Sequence, residues 1–351
     1  MKPEEWPIAA SAADRHAPAR RAGRQRLATV RTDFFLPADQ RLSEQERALM
    51  TALLHCLVAD VVREIQAALP VGAPAANDED TGALVERLLR SGLLDIGELV
   101  ALLLRRADEE RIATAARARS GRTETRMLQA LVSHDSAAVA AAAMALIIAR
   151  GRRRDRLGQC QLLFDDVPPP VAGALVHAVA AALRGPLTGE RASGDADAQL
   201  TTAAAAVLNR HDSSRSEAAL TEALASWLAR EDDCEARLLS AANDGEVSLV
   251  AGLLANRAAL PAERGLDELL SGSGERVSAL FRLAGVSRQI FGGFLAAVGD
   301  LFAIADPGEA MGCLDAFADS ELAARRNALV APAEYRAALE ILGMDDGQRS
   351  V

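Results

Sequence analysis

The sequence predicts an all-α protein built from stacked antiparallel helix pairs, a HEAT-like α-solenoid, with a non-repeating helical bundle as the alternative. Three observations predict this fold class. Of the 351 residues, 50% are hydrophobic but only 3% are aromatic, and alanine and leucine supply most of the apolar content, which favours helix over sheet. Apolar residues recur at helical spacing along most of the chain. No segment alternates apolar and polar residues with period two, so we expect essentially no sheet.

The longest predicted helix runs over residues 43–69. Its apolar residues, from Leu49 onward, recur three and four positions apart and so form one face. Ser43 and Glu46 have the spacing of a capping box, which satisfies two free backbone N–H groups at a helix start. Pro70 cannot continue the hydrogen-bond ladder and ends the helix. Burying each leucine or valine is worth about 1.5–3 kcal/mol, so this face must pack against other helices.

Shorter helices are predicted to follow. In the first half of the chain they lie near 84–92, 95–119, 123–132, 137–150 and 171–184. A further helix is predicted to end at residues 160–164. Asp95 and Glu98 repeat the cap spacing, and Pro168 to Pro170 suit a first helical turn. In the second half they lie near 198–209, 216–229, 233–242, 246–257, 262–271, 275–284, 287–303, 308–318 and 332–342.

Composition divides the chain into five parts. Residues 1–30 mix Pro, Ala and Arg without periodicity and are expected to form a flexible basic tail. Residues 31–184 are predicted to form an N-terminal helical subdomain. Residues 185–197, rich in Gly and Asp, are predicted to be a surface loop at the boundary. Residues 198–342 are predicted to form a C-terminal helical-repeat subdomain, and 343–351 a second flexible tail.

A short pattern recurs at three predicted helix starts. Small or acidic residues precede a valine that opens the apolar face at Val139, Val247 and Val277. The last two lie near the shorter end of helical-repeat periods, about 30 residues apart. Asp60-Val-Val-Arg63 also has the Asp…Val-Arg form of HEAT-type repeats. These matches favour helical repeats.

Two passages resemble a known family. They are Asp33-Phe-Phe-Leu-Pro37 with Arg41-Leu-Ser-Glu-Gln-Glu-Arg47, and Leu163-Phe-Asp-Asp-Val-Pro168 with Leu175-Val-His-Ala-Val-Ala-Ala-Ala-Leu-Arg184. Together they resemble an uncharacterised alphaproteobacterial family known only as a domain of unknown function. The resemblance covers about residues 30–340 and implies an all-helical, HEAT-like fold. Its motifs are structural, so it implies no active site.

Charge and cysteine content narrow the classes of partner and compartment. Residues 1–156 carry 24 Lys and Arg against 21 Asp and Glu, a balance of +3, whereas the remainder carries 15 against 28, a balance of −13. The acidic half would repel phosphates, so nucleic acid is not the expected partner. The four cysteines are far apart, which predicts reduced thiols in a cytoplasmic protein. Apolar runs are shorter than the roughly 20 residues that cross a bilayer, so no membrane insertion is expected.

The sequence holds no pattern typical of an enzyme, so no catalytic residue, metal site or cofactor is predicted. Metal-binding helix motifs, phosphate-binding loops and nucleophile elbows are all missing. His55 and His177 lie among apolar residues and are interpreted as core or boundary residues. His134 and His211, each followed by Asp, are interpreted as helix caps. The alternative is a phosphotransfer module that uses an exposed histidine, His134, His55 or His211.

Two clusters are the candidate partner-binding residues. Arginines crowd the end of the helix predicted at 137–150, namely Arg150, Arg152, Arg153, Arg154 and Arg156. They suit an acidic partner, or else the C-terminal dipole of that helix. Phe281, Phe291 and Phe294 concentrate aromatic rings in an aromatic-poor chain. They are interpreted as core residues, with an exposed groove for a partner helix as the alternative.

From these observations we expect a non-enzymatic scaffold for protein–protein interaction, and a regulatory role would suit such a scaffold. Its partner is another protein, whose identity the sequence leaves open. Phosphotransfer is the first alternative. Nucleic-acid binding through the Arg-rich N-terminal half is the second. The oligomeric state stays open.

Overall fold

The computed structural model describes residues 42–70, 78–121, 126–188, 193–332 and a few positions between 335 and 342. The tails predicted at 1–30 and 343–351 lie outside these residues. The chain divides into two compact units, residues 1–47 and 48–351. In the first unit, the predicted capping box is present: the Ser43 N–H donates to Glu46 Oε2 at 2.8 Å and the Glu46 N–H to Ser43 Oγ at 3.1 Å.

The described residues form fifteen α-helices and three short 3-10 helices, with no strand. Helices α1 to α7 are Glu44–Ala68, Asp78–Ser91, Gly97–Ser120, Arg126–Leu131, Ala137–Arg152, Pro169–Thr188 and Ser193–Arg210. Helices α8 to α15 are Glu217–Leu228, Cys234–Asn243, Val247–Ala258, Ala262–Leu269, Gly274–Leu283, Arg288–Val298, Pro307–Ala316 and Asp319–Val330. The 3-10 helices are Phe164–Asp166, Ser213–Arg215 and Gly299–Phe302. The predicted all-α class is confirmed.

The second unit contains two hydrophobic cores. One gathers side chains of α1, α2, α6 and α7, and the other gathers α4, α5 and α8 to α14. Helix α3 contributes to both, with Leu99 and Leu103 in the first core and Ile112 and Ala116 in the second. Near neighbours along the chain pack as pairs, such as α6 with α7, α10 with α11, and α13 with α14. This stacking of pairs is the solenoid-like arrangement that the sequence predicts.

The loop predicted at 185–197 is wrong over most of its length. Helix α6 continues to Thr188 and α7 begins at Ser193. The two helices pack closely on each other, and this packing outweighs the poor helix propensity of the Gly and Pro residues in that stretch. The two cores also divide the chain elsewhere, because α4 and α5 precede this stretch yet pack with the helices that follow it.

Three local predictions need correction. The start of α3 is capped by Ile96 without a side-chain hydrogen bond, so the expected role of Asp95 is wrong. Residues 160–164 do not close a helix, because the backbone of Cys160 instead pairs with that of Arg154 in a single antiparallel β-bridge. Helix α15 was not predicted, because Leu322 is its only residue with a buried side chain and its apolar periodicity is therefore faint.

The recurring valine pattern does mark helix starts. Val139, Val247 and Val277 lie in the first turns of α5, α10 and α12, and each is buried in the second core. Just before α10, Gly245 has φ +74°, and a Cβ there would lie 2.8 Å from the Ala113 Cα. A glycine therefore lets the α9–α10 turn approach α3 closely.

Candidate functional site

A cleft of about 320 Å³ opens between α3, α5, α8 and the start of α10. Charged side chains of both signs line it, and among them Arg106, Arg150 and Glu217 meet. Glu217 is the first residue of α8, which the Ser216 hydroxyl caps by accepting the Ala219 N–H at 3.1 Å. The cap fixes the direction of α8 and so places the Glu217 carboxylate between α3 and α5.

Glu217 binds two arginines from different helices. Its Oε1 accepts from Arg150 Nε at 2.9 Å, and its Oε2 accepts from Arg106. Burial alone would raise the pKa of Glu217, but the positive charges of Arg106 and Arg150 outweigh it and hold the pKa at about 2. Arg150 also donates to Glu246, which is buried at the start of α10. Glu217 is therefore ionised at neutral pH and joins α3, α5 and α8.

Arg153 lies beside this pair and is almost fully buried. Its Nε and Nη2 donate to both carboxylate oxygens of Asp166, at 2.8 and 2.6 Å. Its Nη1 donates to the Ala149 carbonyl at 2.9 Å and its Nη2 to the Arg215 carbonyl at 3.2 Å. A fully paired buried guanidinium of this kind fixes the end of α5 against the segment that leads into α8.

The rim of the cleft is also ion-paired. Arg154 donates to Glu110 at 2.8 Å, and Arg117 donates to the same carboxylate at 2.9 Å. Burial would raise the pKa of Glu110, but hydrogen bonds and charge from Arg154 and Arg117 lower it. Burial raises the pKa of the Cys160 thiol in the same cleft, so this thiol is protonated at neutral pH. The arginines and carboxylates named here are therefore paired with one another inside the cleft.

The predicted arginine cluster is split by this geometry. Arg150 and Arg153 point into the fold and hold internal carboxylates, so their assignment to a partner surface is wrong. Arg154 reaches solvent in part but is paired with Glu110. Arg152 and Arg156 are exposed, and their role in binding a partner stays a prediction.

The phenylalanine cluster is a core feature. Phe281, Phe291 and Phe294 have no exposed surface, and Phe281 lies 4.7 and 4.8 Å, centroid to centroid, from the other two rings. The core interpretation is right and the exposed-groove alternative is wrong, because tilted ring packing removes every face from solvent.

Ion pairs also join segments that are distant in sequence. Arg105 of α3 donates to Asp267 and Glu263 of α11, both at 2.8 Å. Arg119, at the other end of α3, binds Asp300. Arginines of α3 thus pair with carboxylates that lie far along the chain within the second unit. Sequence reasoning missed these partners, since 67 residues separate Arg150 from Glu217 and no local motif links them.

The histidines are placed differently from one another. His134 Nδ1 accepts the Ser136 N–H at 3.1 Å and its Nε2 lies 3.0 Å from Arg237 Nη2. His211 Nε2 lies 2.9 Å from the Val167 carbonyl, and its ring packs edge-on against Phe164. His177 is exposed on α6, so its interpretation as a core or boundary residue is wrong.

Within the described ranges, no group of three or more His, Cys, Asp or Glu side chains is arranged to hold a metal ion. Across the same ranges, no helix has both the length and the apolar character that a bilayer crossing requires. All four cysteines are described, and each is a free thiol.

Comparison with known proteins identifies a family. A family model described as an uncharacterised protein conserved in bacteria (DUF2336) matches residues 86–326, more than half of the chain. No curated protein and no solved structure matches.

Proposed function

This chain belongs to the DUF2336 family of uncharacterised bacterial proteins, and we propose that it is a non-enzymatic HEAT-like scaffold that binds another protein. The observation that carries the proposal is an uncovered apolar face on α3. Val100 and Leu104 lie one turn apart and are 41% and 36% exposed, whereas Leu99 and Leu103 beside them are buried. Helix α3 thus has two apolar faces, of which the fold covers one.

Two further exposed leucines precede this face. Leu89, in the last turn of α2, is 46% exposed, and Leu93, in the turn after it, is 51% exposed. These exposed side chains lie close together in sequence, and exposed apolar patches are typical of protein-interaction surfaces. Residues at i and i+4 on a helix also suit an apolar groove or a second helix on a partner protein.

The charges of the cleft support a structural role for it. Every arginine and carboxylate that meets at Glu217 is held by an internal partner, and the Cys160 thiol is protonated by burial. A general base or nucleophile needs a group that can reach a substrate. This arrangement favours a scaffold over an enzyme.

The two alternatives have less support. Phosphotransfer through His134 or His211 would have to displace the contacts of these rings with Arg237 and Val167, and His55, the third candidate, is half-buried on α1. For nucleic-acid binding, α3 arginines such as Arg105 are already engaged by carboxylates, which lowers the number of positive charges available to phosphates. We place the scaffold in the cytoplasm because its four unbonded thiols suit a reducing compartment.

The test is affinity capture with the full-length protein as bait, in a lysate of the bacterium that encodes it. We expect the wild type to retain one protein in near-stoichiometric amount, and V100E/L104E to lose at least about 90% of it, because charged groups cannot enter an apolar interface. V330E, which places the same charge at an exposed apolar position on α15, serves as the control.

Two results would end the proposal. One is a wild-type bait that retains no stoichiometric protein. The other is equal retention by V100E/L104E, with both variants as helical as the wild type by circular dichroism.

A further inference from the structure

Helix α5 carries a second uncovered apolar face, which we call the α5 stripe and define as Ala137, Ala141, Met144 and Ile148. All four are exposed, Met144 by 43% and Ile148 by 52%, while the opposite side of α5 is buried in the second core. The residues follow one another at spacings of four, three and four. This is the spacing of a coiled-coil seam, so the stripe is shaped to pack against another helix.

Unpaired charges stand at both ends of the α5 stripe. Asp135 precedes the helix, Arg152 lies in its last turn one turn beyond Ile148, and Arg156 follows the helix. All three are exposed, and none forms an ion pair with a residue that the structure describes. The neighbouring Arg153 and Arg154 are both paired internally. Helix α5 therefore has a negative charge at its start and positive charges at its end that no described residue neutralises.

We infer that two copies of the chain associate through α5, antiparallel about a two-fold axis. With the axis between Met144 and Ala145, Ala141 of each copy lies opposite Ile148 of the other, and Ala137 lies opposite Arg152. Small side chains then face large ones, as interdigitated packing requires. Asp135 stands two residues before Ala137, the position that faces the other copy's Arg152, so opposite charges meet at each end of the seam.

The parallel arrangement fails on the same residues. It would set Met144 on Met144 and Ile148 on Ile148, and it would bring Arg152 of both copies together. Like charges directly opposite each other are destabilising. A second copy in antiparallel orientation therefore satisfies both the shape and the charge of the stripe, and each copy contributes the same surface, as an isologous dimer does.

The size of the stripe sets the strength of the dimer. One helix face with two alanines, one methionine and one isoleucine covers less than the roughly 1,200 Å² of a standard stable interface. The net charge of −10 on each copy adds repulsion. We therefore expect a reversible dimer with a dissociation constant on the order of 10 μM. This inference does not rest on the α3 face of the proposed function.

Sedimentation velocity of the full-length protein over about 1–300 μM tests the inference, since this range brackets the expected dissociation constant. The wild type is expected to shift from monomer to dimer with concentration. I148D is expected to raise the dissociation constant by about 100-fold, because it buries two charges in the seam. V330E keeps the wild-type value. Ile148 is exposed, so I148D should fold normally, which circular dichroism verifies.

Exchange of the two charges distinguishes this antiparallel dimer from nonspecific association. D135R and R152D should each weaken the dimer several-fold, and D135R/R152D should recover most of the loss, because the exchanged charges face each other again across the axis. A wild type that stays monomeric throughout overturns the inference. So does a dimer that I148D leaves unchanged, or a double variant weaker than both single variants.

Discussion

Replacement of Glu217 by Gln tests how much the buried charge cluster holds the fold together. Gln keeps the size of Glu217 but removes the negative charge that Arg106 and Arg150 share. The side chain is 9% exposed, so water can replace little of the lost interaction.

The magnitude follows from the pKa of Glu217. Folding lowers the pKa of Glu217 from its ordinary value of 4.5 to about 2. Each pKa unit corresponds to about 1.4 kcal/mol, so the ionised carboxylate contributes about 3 kcal/mol to the free energy of unfolding at neutral pH. Loss of one partner from a buried ion pair costs about 3–5 kcal/mol, which agrees. We therefore expect E217Q to lower the free energy of unfolding by about 3 kcal/mol at pH 7.

The effect has a defined pH dependence. The folded-state pKa is lower than the unfolded-state pKa, so the stabilisation is present above about pH 4.5 and is lost as the pH falls towards 2. The difference between wild type and E217Q should therefore narrow below pH 4.5 and fall to less than about half its neutral value by pH 3.

Urea unfolding followed by circular dichroism measures both effects. E222Q is the matched control, because Glu222 lies on the same helix but faces solvent and should change stability by less than about 0.5 kcal/mol. A loss below about 1 kcal/mol for E217Q at pH 7, or a difference that does not depend on pH, would refute the reasoning.

Three further predictions follow from the packing. G245A should lower the free energy of unfolding in urea by about 2–4 kcal/mol, because the φ of +74° strains any side chain and the new Cβ would lie 2.8 Å from Ala113 Cα. G82A is the control, because a Cβ at Gly82 would meet open space and should not lower stability. F294A should cost about 3–5 kcal/mol through the cavity left between Phe281 and Phe302, and L157A, at an 84% exposed position, should cost less than about 0.5 kcal/mol. In a thiol-labelling time course on the native protein, half-buried Cys56 and Cys313 should react before buried Cys160 and Cys234, and simultaneous reaction of all four would contradict the burial.

Much of the fold could be predicted from sequence, because a helix is a local structure that its own periodicity reveals. Spacing alone predicts the apolar face of α1 and the buried valines at the starts of α5, α10 and α12. Helix α15 escaped because ion pairs of Arg325 with Glu268 and Glu275 hold it, and sequence gives no sign of partners 50 or more residues away.

The candidate site was harder for the same reason. A run of arginines at the end of α5 looks like one surface, but a helix end points its side chains in different directions. Arg150 and Arg153 turn inward to Glu217 and Asp166, whereas Arg152 remains in solvent. Which arginine meets which carboxylate depends on the tertiary packing of α3, α5 and α8. The exposed Val100 and Leu104 likewise look like ordinary core residues in sequence.

The central claim is that this chain uses its charges inside the fold and binds another protein through an uncovered apolar face. Quantitative affinity capture with three baits, wild type, E217Q and V100E/L104E, tests it most directly at a temperature where all three are folded. The account predicts that E217Q retains the wild-type partner and V100E/L104E does not. Loss of that partner by E217Q with full retention by V100E/L104E would show that the charged cleft is the binding site and would contradict the account.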